Sequence, residues 1–241
     1  MMKKKIIKIV SIIIAFLLIF TFIYLFTGNY KASAEAKKYL VSSEEVKVEK
    51  INEGYFFDGK GDRTSIIFYP GAKVDYEAYS KLMYELARDG YDTVLLKMPF
   101  NIAFFGKNKA QKVLNRYEYE KVYVAGHSLG GVVANSFGAS HTDDIEGIIN
   151  LASYPAEDIP DDLKYLYIYG SEDMVMYREK YEDSKKYAPS GFKEVIIEGG
   201  NHAGFALYGP QKNDGMASIS SDEQIERALL EIELFLKENS I

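Results

Sequence analysis

The sequence predicts an α/β domain, a mostly parallel sheet with helices on both faces, preceded by one apolar N-terminal helix. Three observations predict it. Short β-branched runs alternate with segments of helical spacing, as a parallel sheet covered on both faces requires. A Gly-x-Ser-x-Gly turn, Gly126-His127-Ser128-Leu129-Gly130, joins one such strand to one such helix. An uncharged and overwhelmingly apolar run, Ile9 to Thr27, follows a cluster of lysines at the start of the chain.

Taken in order, the first element is that run. Lys3, Lys4, Lys5 and Lys8 precede it. Its length suits a bilayer-spanning helix of about 20 residues better than a secretory core of roughly 7–15. It has no polar face, which argues against a buried core helix. The leading lysines predict a cytoplasmic N-terminus, a single pass and an extracytoplasmic domain. Lys31, Lys37 and Lys38 on the other side pull against that orientation. Ala32-Ser33-Ala34 offers a small-residue cleavage site, so secretion after cleavage near Ala34 is the alternative. The chain thus divides into an anchor or signal segment with its tether, residues 1–34, and an α/β domain, residues 35–241. Tyr30 to Lys50 is polar and reads as part tether, part first strand.

The domain alternates from there. Thr64–Tyr69 and Thr93–Met98 read as strands; between them Tyr79, Leu82, Met83 and Leu86 fall at helical spacing, and Gly90 stops that helix. Lys107 to Tyr117 is a further helix leading into the strand Lys121–Ala125. The stretch after Ser128 reads as a helix, and Ile145–Leu151, Tyr165–Tyr169 and Glu194–Glu198 as strands. Ser221-Asp222-Glu223-Gln224 has the form of a capping box, after which Ile225, Leu229, Ile232 and Leu236 repeat down one face. Residues 203–220 lack periodicity, and a loop that long in a compact domain is more often a lid or binding loop than filler.

A serine pushed out of a strand–turn–helix junction needs tiny neighbours, which Gly126, Gly130 and Gly131 supply. Its hydroxyl needs a base, most often histidine. The chain has three histidines. His127 neighbours the serine in the turn, where its side chain should diverge from the hydroxyl. His141 lies at the far end of the following helix, roughly 20 Å away at about 1.5 Å per residue. His202, in a loop after the Glu194–Glu198 strand, is left as the base. The carboxylate that would orient it follows the Tyr165–Tyr169 strand: Asp173, with Glu172 as the fallback. Ser128, Asp173 and His202 then run in the chain order of one hydrolase architecture, unlike the chymotrypsin or subtilisin orders.

The segments Phe68-Tyr69-Pro70-Gly71-Ala72-Lys73-Val74, Gly126 to Gly131, Gly170 to Asp173 and Glu198-Gly199-Gly200-Asn201-His202 together resemble the α/β-hydrolase fold. The likeness is to its compact, cap-less members, the alpha/beta hydrolase fold-5 or dienelactone-hydrolase-like group. The resemblance implies Ser128 as nucleophile, Asp173 as orienting acid and His202 as base. The chain departs from it twice. Gly71-Ala72 stands where two glycines are common, and no cysteine is present to serve as the nucleophile of dienelactone hydrolases proper. Oxyanion donors are expected from the backbone N–H of Leu129 and from Ala72, with Gly71 as second choice.

The expected activity is cleavage of an ester or related acyl bond through a covalent acyl-enzyme, with no metal and no cofactor. Acyl transfer on the same site, or a non-catalytic binding protein on a hydrolase scaffold, are the alternatives. Phe100 and Phe104, in the apolar loop after Thr93–Met98, are candidates for lining an acyl pocket. Lys73 and Lys97 flank site loops, where a solvated lysine is the simpler reading. A net charge of −6 without a basic patch beyond the N-terminal lysines makes nucleic acid an improbable partner. A small-molecule or lipid-like acyl substrate is expected, and the membrane is met through the N-terminal helix.

Overall fold

A computed structural model describes residues 2–61 and 63–239, apart from the side chains of residues 2–5, 7, 18 and 22–24. Eight strands make one sheet: β1 (Lys47–Ile51), β2 (Gly54–Asp58), β3 (Thr64–Tyr69), β4 (Asp92–Leu96), β5 (Lys121–His127), β6 (Gly147–Leu151), β7 (Lys164–Gly170) and β8 (Lys193–Ile197). Their spatial order is β1-β2-β4-β3-β5-β6-β7-β8. The first two form an antiparallel hairpin, β2 runs antiparallel to β4, and all other neighbours are parallel. The mostly parallel sheet is therefore as expected, with an antiparallel edge. Nothing in the sequence reading anticipated β2. Its partner at the edge, Lys47-Val48-Glu49-Lys50-Ile51, is rich in charge, which keeps an exposed edge from pairing with other chains.

Strand alternation divides the core into two layers. Ile66 and Phe68 of β3 and Leu166 and Ile168 of β7 pack on one face. There they meet α3 (Ser80–Arg88) and α7 (Ser221–Glu238) through Leu82, Leu86, Ile225 and Ile232. The intervening Ile67, Tyr69, Tyr165, Tyr167 and Tyr169 face the other layer. Its helices are α4 (Lys109–Leu114), α5 (Leu129–Ala139) and α6 (Arg178–Ser184), through Val113, Val133, Phe137 and Tyr181. Several of the chain's 20 tyrosines are thus core, with rings of Tyr165, Tyr167, Tyr169 and Tyr181 meeting edge to face.

Two local expectations shift. The cap of α7 is Ser220, not Ser221: Ser220 is extended, and its hydroxyl accepts the Glu223 amide at 3.1 Å. The segment after His202 is no lid in its first third, because residues 203–208 are buried, and Leu207 donates its amide to Ala78 O at 2.9 Å. Two helices remain, α1 (Met2–Phe26) and the short α2 (Ala34–Lys38). The described apolar side chains of α1, among them Ile13, Phe16 and Leu17, stand exposed. Among the described residues no helix is long and apolar enough to cross a membrane. The run expected to do so includes residues 18 and 22–24, whose side chains lie outside the described set.

Candidate active site

β5 ends on His127 and α5 begins on Leu129, so Ser128 alone makes the turn. It does so at φ 53, ψ −124, a region that costs a side-chain-bearing residue on the order of 1–3 kcal/mol. The surrounding backbone compels it. The Ser128 amide donates to Leu151 O at 3.0 Å, and its carbonyl accepts from Gly131 N at 3.0 Å. A Cβ on Gly130 would lie 2.1 Å from Tyr69 O, so only glycine lets α5 close against β3.

Asp173 and His202 meet by way of two different strands. Asp173 follows β7 and is buried; its Oδ1 accepts the amides of Val175 at 2.9 Å and Met176 at 2.8 Å. That leaves Oδ2 for His202 Nδ1 at 2.8 Å. Three hydrogen bonds orient this carboxylate, whereas Glu172 is exposed and among the described residues its carboxylate accepts only the Ser171 hydroxyl. The Nδ1 proton held by Asp173 leaves the other ring nitrogen as the basic one. Ser128, Leu129 and His202 line one cleft of about 180 Å³, with Ser153, Tyr154 and Tyr177. Among the described residues no hydrogen bond joins the Ser128 hydroxyl to His202, a looseness common without ligand.

The loop that carries His202 is braced from two sides. Asp214 accepts the amides of His202 at 3.2 Å, Ala203 at 2.8 Å and Gly215 at 2.8 Å. Gln224, in the first turn of α7, pairs twice with the backbone of Asn201, at 2.9 and 2.8 Å. Gln224 was expected only as the end of a capping box and Asp214 only as a loop residue, because local spacing carries no sign of a contact with the His202 loop.

His127 diverges from the serine, as expected, and takes up a role that the sequence did not suggest. The Gly71 amide donates to Tyr79 Oη at 3.1 Å, the Tyr79 hydroxyl donates to His127 Nδ1 at 2.8 Å, and His127 Nε2 donates to His202 O at 3.0 Å. Burial, and then the neighbouring His202, hold the His127 imidazole well below its usual 6.5. A neutral ring has one donor and one acceptor, and this chain uses both. It ties the loop after β3, the elbow and the His202 loop into one unit.

That same chain engages the Gly71 amide, which removes the second choice for an oxyanion donor. The Ala72 and Leu129 amides donate to no acceptor among the described residues. Gly71 must remain glycine, since a Cβ there would lie 2.8 Å from Tyr79 Oη and 2.9 Å from His127 Nδ1. Phe100 and Phe104 do not line the Ser128 cleft. Phe100 instead meets Phe26 and Phe105 edge to face, and Phe104 is half exposed. Ser153, which the sequence did not single out, is in the cleft, and its buried hydroxyl has no partner among the described residues. A ligand's polar atom could satisfy it.

A mostly parallel sheet that presents a serine on a strand–turn–helix junction at its C-terminal edge is the architecture of the α/β hydrolases. The chain belongs to the alpha/beta hydrolase family, whose sequence profile matches residues 65–226. Solved structures agree on the fold. TT1662 from Thermus thermophilus is similar at TM-score 0.57 and 13% identity, over 80% of this chain and 98% of that one. MGS-MChE2, an alpha/beta hydrolase enzyme from the metagenome of lagoon sediments at Mar Chica, Morocco, is similar at TM-score 0.60 and 16% identity, over 81% and 100%. A soluble variant of monoglyceride lipase from Saccharomyces cerevisiae is similar at TM-score 0.58 and 12% identity, over 83% and 96%. No curated protein matches by sequence.

Proposed function

We propose that this family member is a membrane-anchored serine hydrolase that cleaves an ester or related acyl bond. The observation that carries the reading is the Asp173–His202 pair at 2.8 Å, whose histidine shares one cleft with a serine in a strained turn. Ser128 Oγ attacks the acyl carbonyl while His202 Nε2 takes its proton, and Asp173 stabilises the imidazolium that forms. The oxyanion is received by the amides of Leu129 and Ala72. Collapse of the tetrahedral intermediate breaks the acyl–oxygen bond, and His202 returns the proton to the leaving alcohol. Water, deprotonated by the same histidine, then attacks the acyl-enzyme and releases the acid and Ser128.

Anchoring belongs to the same proposal. A helix of 25 residues measures about 37 Å, against about 30 Å of hydrocarbon in a bilayer. Its exposed apolar side chains support a lipid environment. The site reading is tested by treating the full-length chain in detergent with a fluorophosphonate and sequencing the modified peptide. The adduct should sit on Ser128 and vanish in His202→Ala. Ser128→Ala should lower ester turnover by about 10⁴-fold or more at unchanged folding. Unchanged turnover would refute the nucleophile assignment.

A further inference from the structure

The end of α1 is fastened to the edge of the sheet from which the candidate site opens. Only Thr27, Gly28 and Asn29 separate the helix from Tyr30, and three residues span at most about 10 Å. Tyr30 is held firmly. Its amide donates to Lys73 O at 2.7 Å, its carbonyl accepts from Asp75 N at 2.9 Å, and its ring packs on Tyr208 at 5.4 Å. Lys73 Nζ reaches Thr27 O at 3.2 Å, and the Phe26 and Phe100 rings meet at 5.3 Å. All these partners lie in loops that follow the C-terminal ends of β3, β4 and β8, the same edge as Ser128.

That edge also carries several of the domain's exposed large apolar side chains, although Val41, Leu230 and Leu234 stand exposed elsewhere. Phe104 and Phe105, at 56% and 58% exposure, stand on the side nearer α1. On the other side Tyr177, at 70%, lines the cleft, and Met174 and Met216, at 72% and 92%, stand in the loops after β7 and β8. Lys107, Lys109 and Lys112 share one shallow depression with the two phenylalanines, in a chain whose net charge is −6. Apolar tips between lysines suit a surface that offers acyl chains beneath anionic headgroups. The cleft itself, about 180 Å³, is smaller than the ~300–1,000 Å³ of ligand pockets. A long acyl chain bound at Ser128 would extend past it onto this rim.

From these observations we infer that the rim around the cleft is a bilayer-facing surface. When α1 spans the membrane, Phe104 and Phe105 on one flank and Met174, Tyr177 and Met216 on the other dip into the adjoining leaflet, and Lys107 and Lys112 meet anionic headgroups. The interfacial zone is about 5–8 Å deep on each side, comparable with the reach of the three-residue link. The site then receives acyl lipids laterally, from the bilayer. The inference rests on the anchoring reading and adds an orientation that an anchor alone does not impose.

The chain has no cysteine, so single nitroxide labels can be placed on the full-length protein in vesicles of phosphatidylcholine and phosphatidylglycerol. Phe105→Cys and Met216→Cys test the rim. Lys60→Cys, at the opposite end of the sheet, is the aqueous reference, and Ile13→Cys tests the helix. The rim labels should lose nickel-chelate accessibility and gain oxygen accessibility relative to Lys60→Cys, as Ile13→Cys does. Rim labels matching Lys60→Cys, with Ile13→Cys in lipid, would overturn the orientation and leave the anchor standing. An aqueous Ile13→Cys label would overturn the anchor and the rim with it. All four positions are exposed, so loss of folding is not expected, and retained fluorophosphonate labelling checks it.

Discussion

At the scale of single residues, the site is a set of hydrogen bonds with few spare partners. Asp173→Asn keeps the shape of the side chain but stabilises the wrong His202 tautomer, so turnover should fall about 10³- to 10⁴-fold. Glu172→Gln, altering an exposed group beside it, should leave turnover within about twofold by the same steady-state assay. The reverse ranking would exchange their roles. His127 supplies a pH signature. Its folded pKa lies below the unfolded value, so the unfolded chain takes up the proton first. The stability it contributes is present above about pH 6.5 and is lost as the pH falls below that value. This one group should therefore make the folded chain less stable at pH 5.5 than at pH 7. Urea midpoints at the two pH values should differ less in His127→Gln than in the parent protein; an equal difference would place the proton uptake elsewhere. The roles of His127 and Tyr79 could not have been found from the sequence, since the two side chains meet each other across 48 residues and His127 meets the His202 carbonyl across 75.

At the scale of elements, α7 does more than cover the sheet. Its apolar repeat and its N-terminal box were legible, because both are local patterns of one helix. Its grip on the His202 loop was not, because the helix glutamine meets the Asn201 backbone only after the chain has folded back. Gln224→Ala should orphan the Asn201 amide and carbonyl and cost about 1–3 kcal/mol in chemical denaturation. It should also weaken fluorophosphonate labelling, since the histidine loop loses one of its two braces. Ser220→Ala removes the observed cap and should cost about 1 kcal/mol, whereas Ser221→Ala should cost little. The opposite order would restore the cap expected from the sequence. Residues 203–208 teach a related lesson. Small and apolar residues without periodicity resembled a lid, yet they are buried, and Leu207 is hydrogen-bonded to the turn before α3 and to Ser33 of the tether.

At the scale of the whole molecule, the proposed anchoring through α1 predicts how the chain fractionates. The full-length chain should remain with membranes through a high-salt wash, and removal of residues 1–34 should release it. A native N-terminus at Glu35 would instead show a cleaved secretory segment. By itself the sequence determined the sheet-and-helix class, the family, the strained serine turn and the histidine and carboxylate candidates. Those follow from periodicity, from glycine at a turn and from the few titratable groups available, all of which are local or countable. Only the tertiary structure decided which carboxylate faces His202, which amides are engaged, and that Phe100 and Phe104 stand outside the cleft. It also brought the end of α1 onto the rim of the site. Each of these depends on side chains and backbone groups from distant strands converging at one sheet edge, and the spacing of residues along a chain carries no record of that meeting.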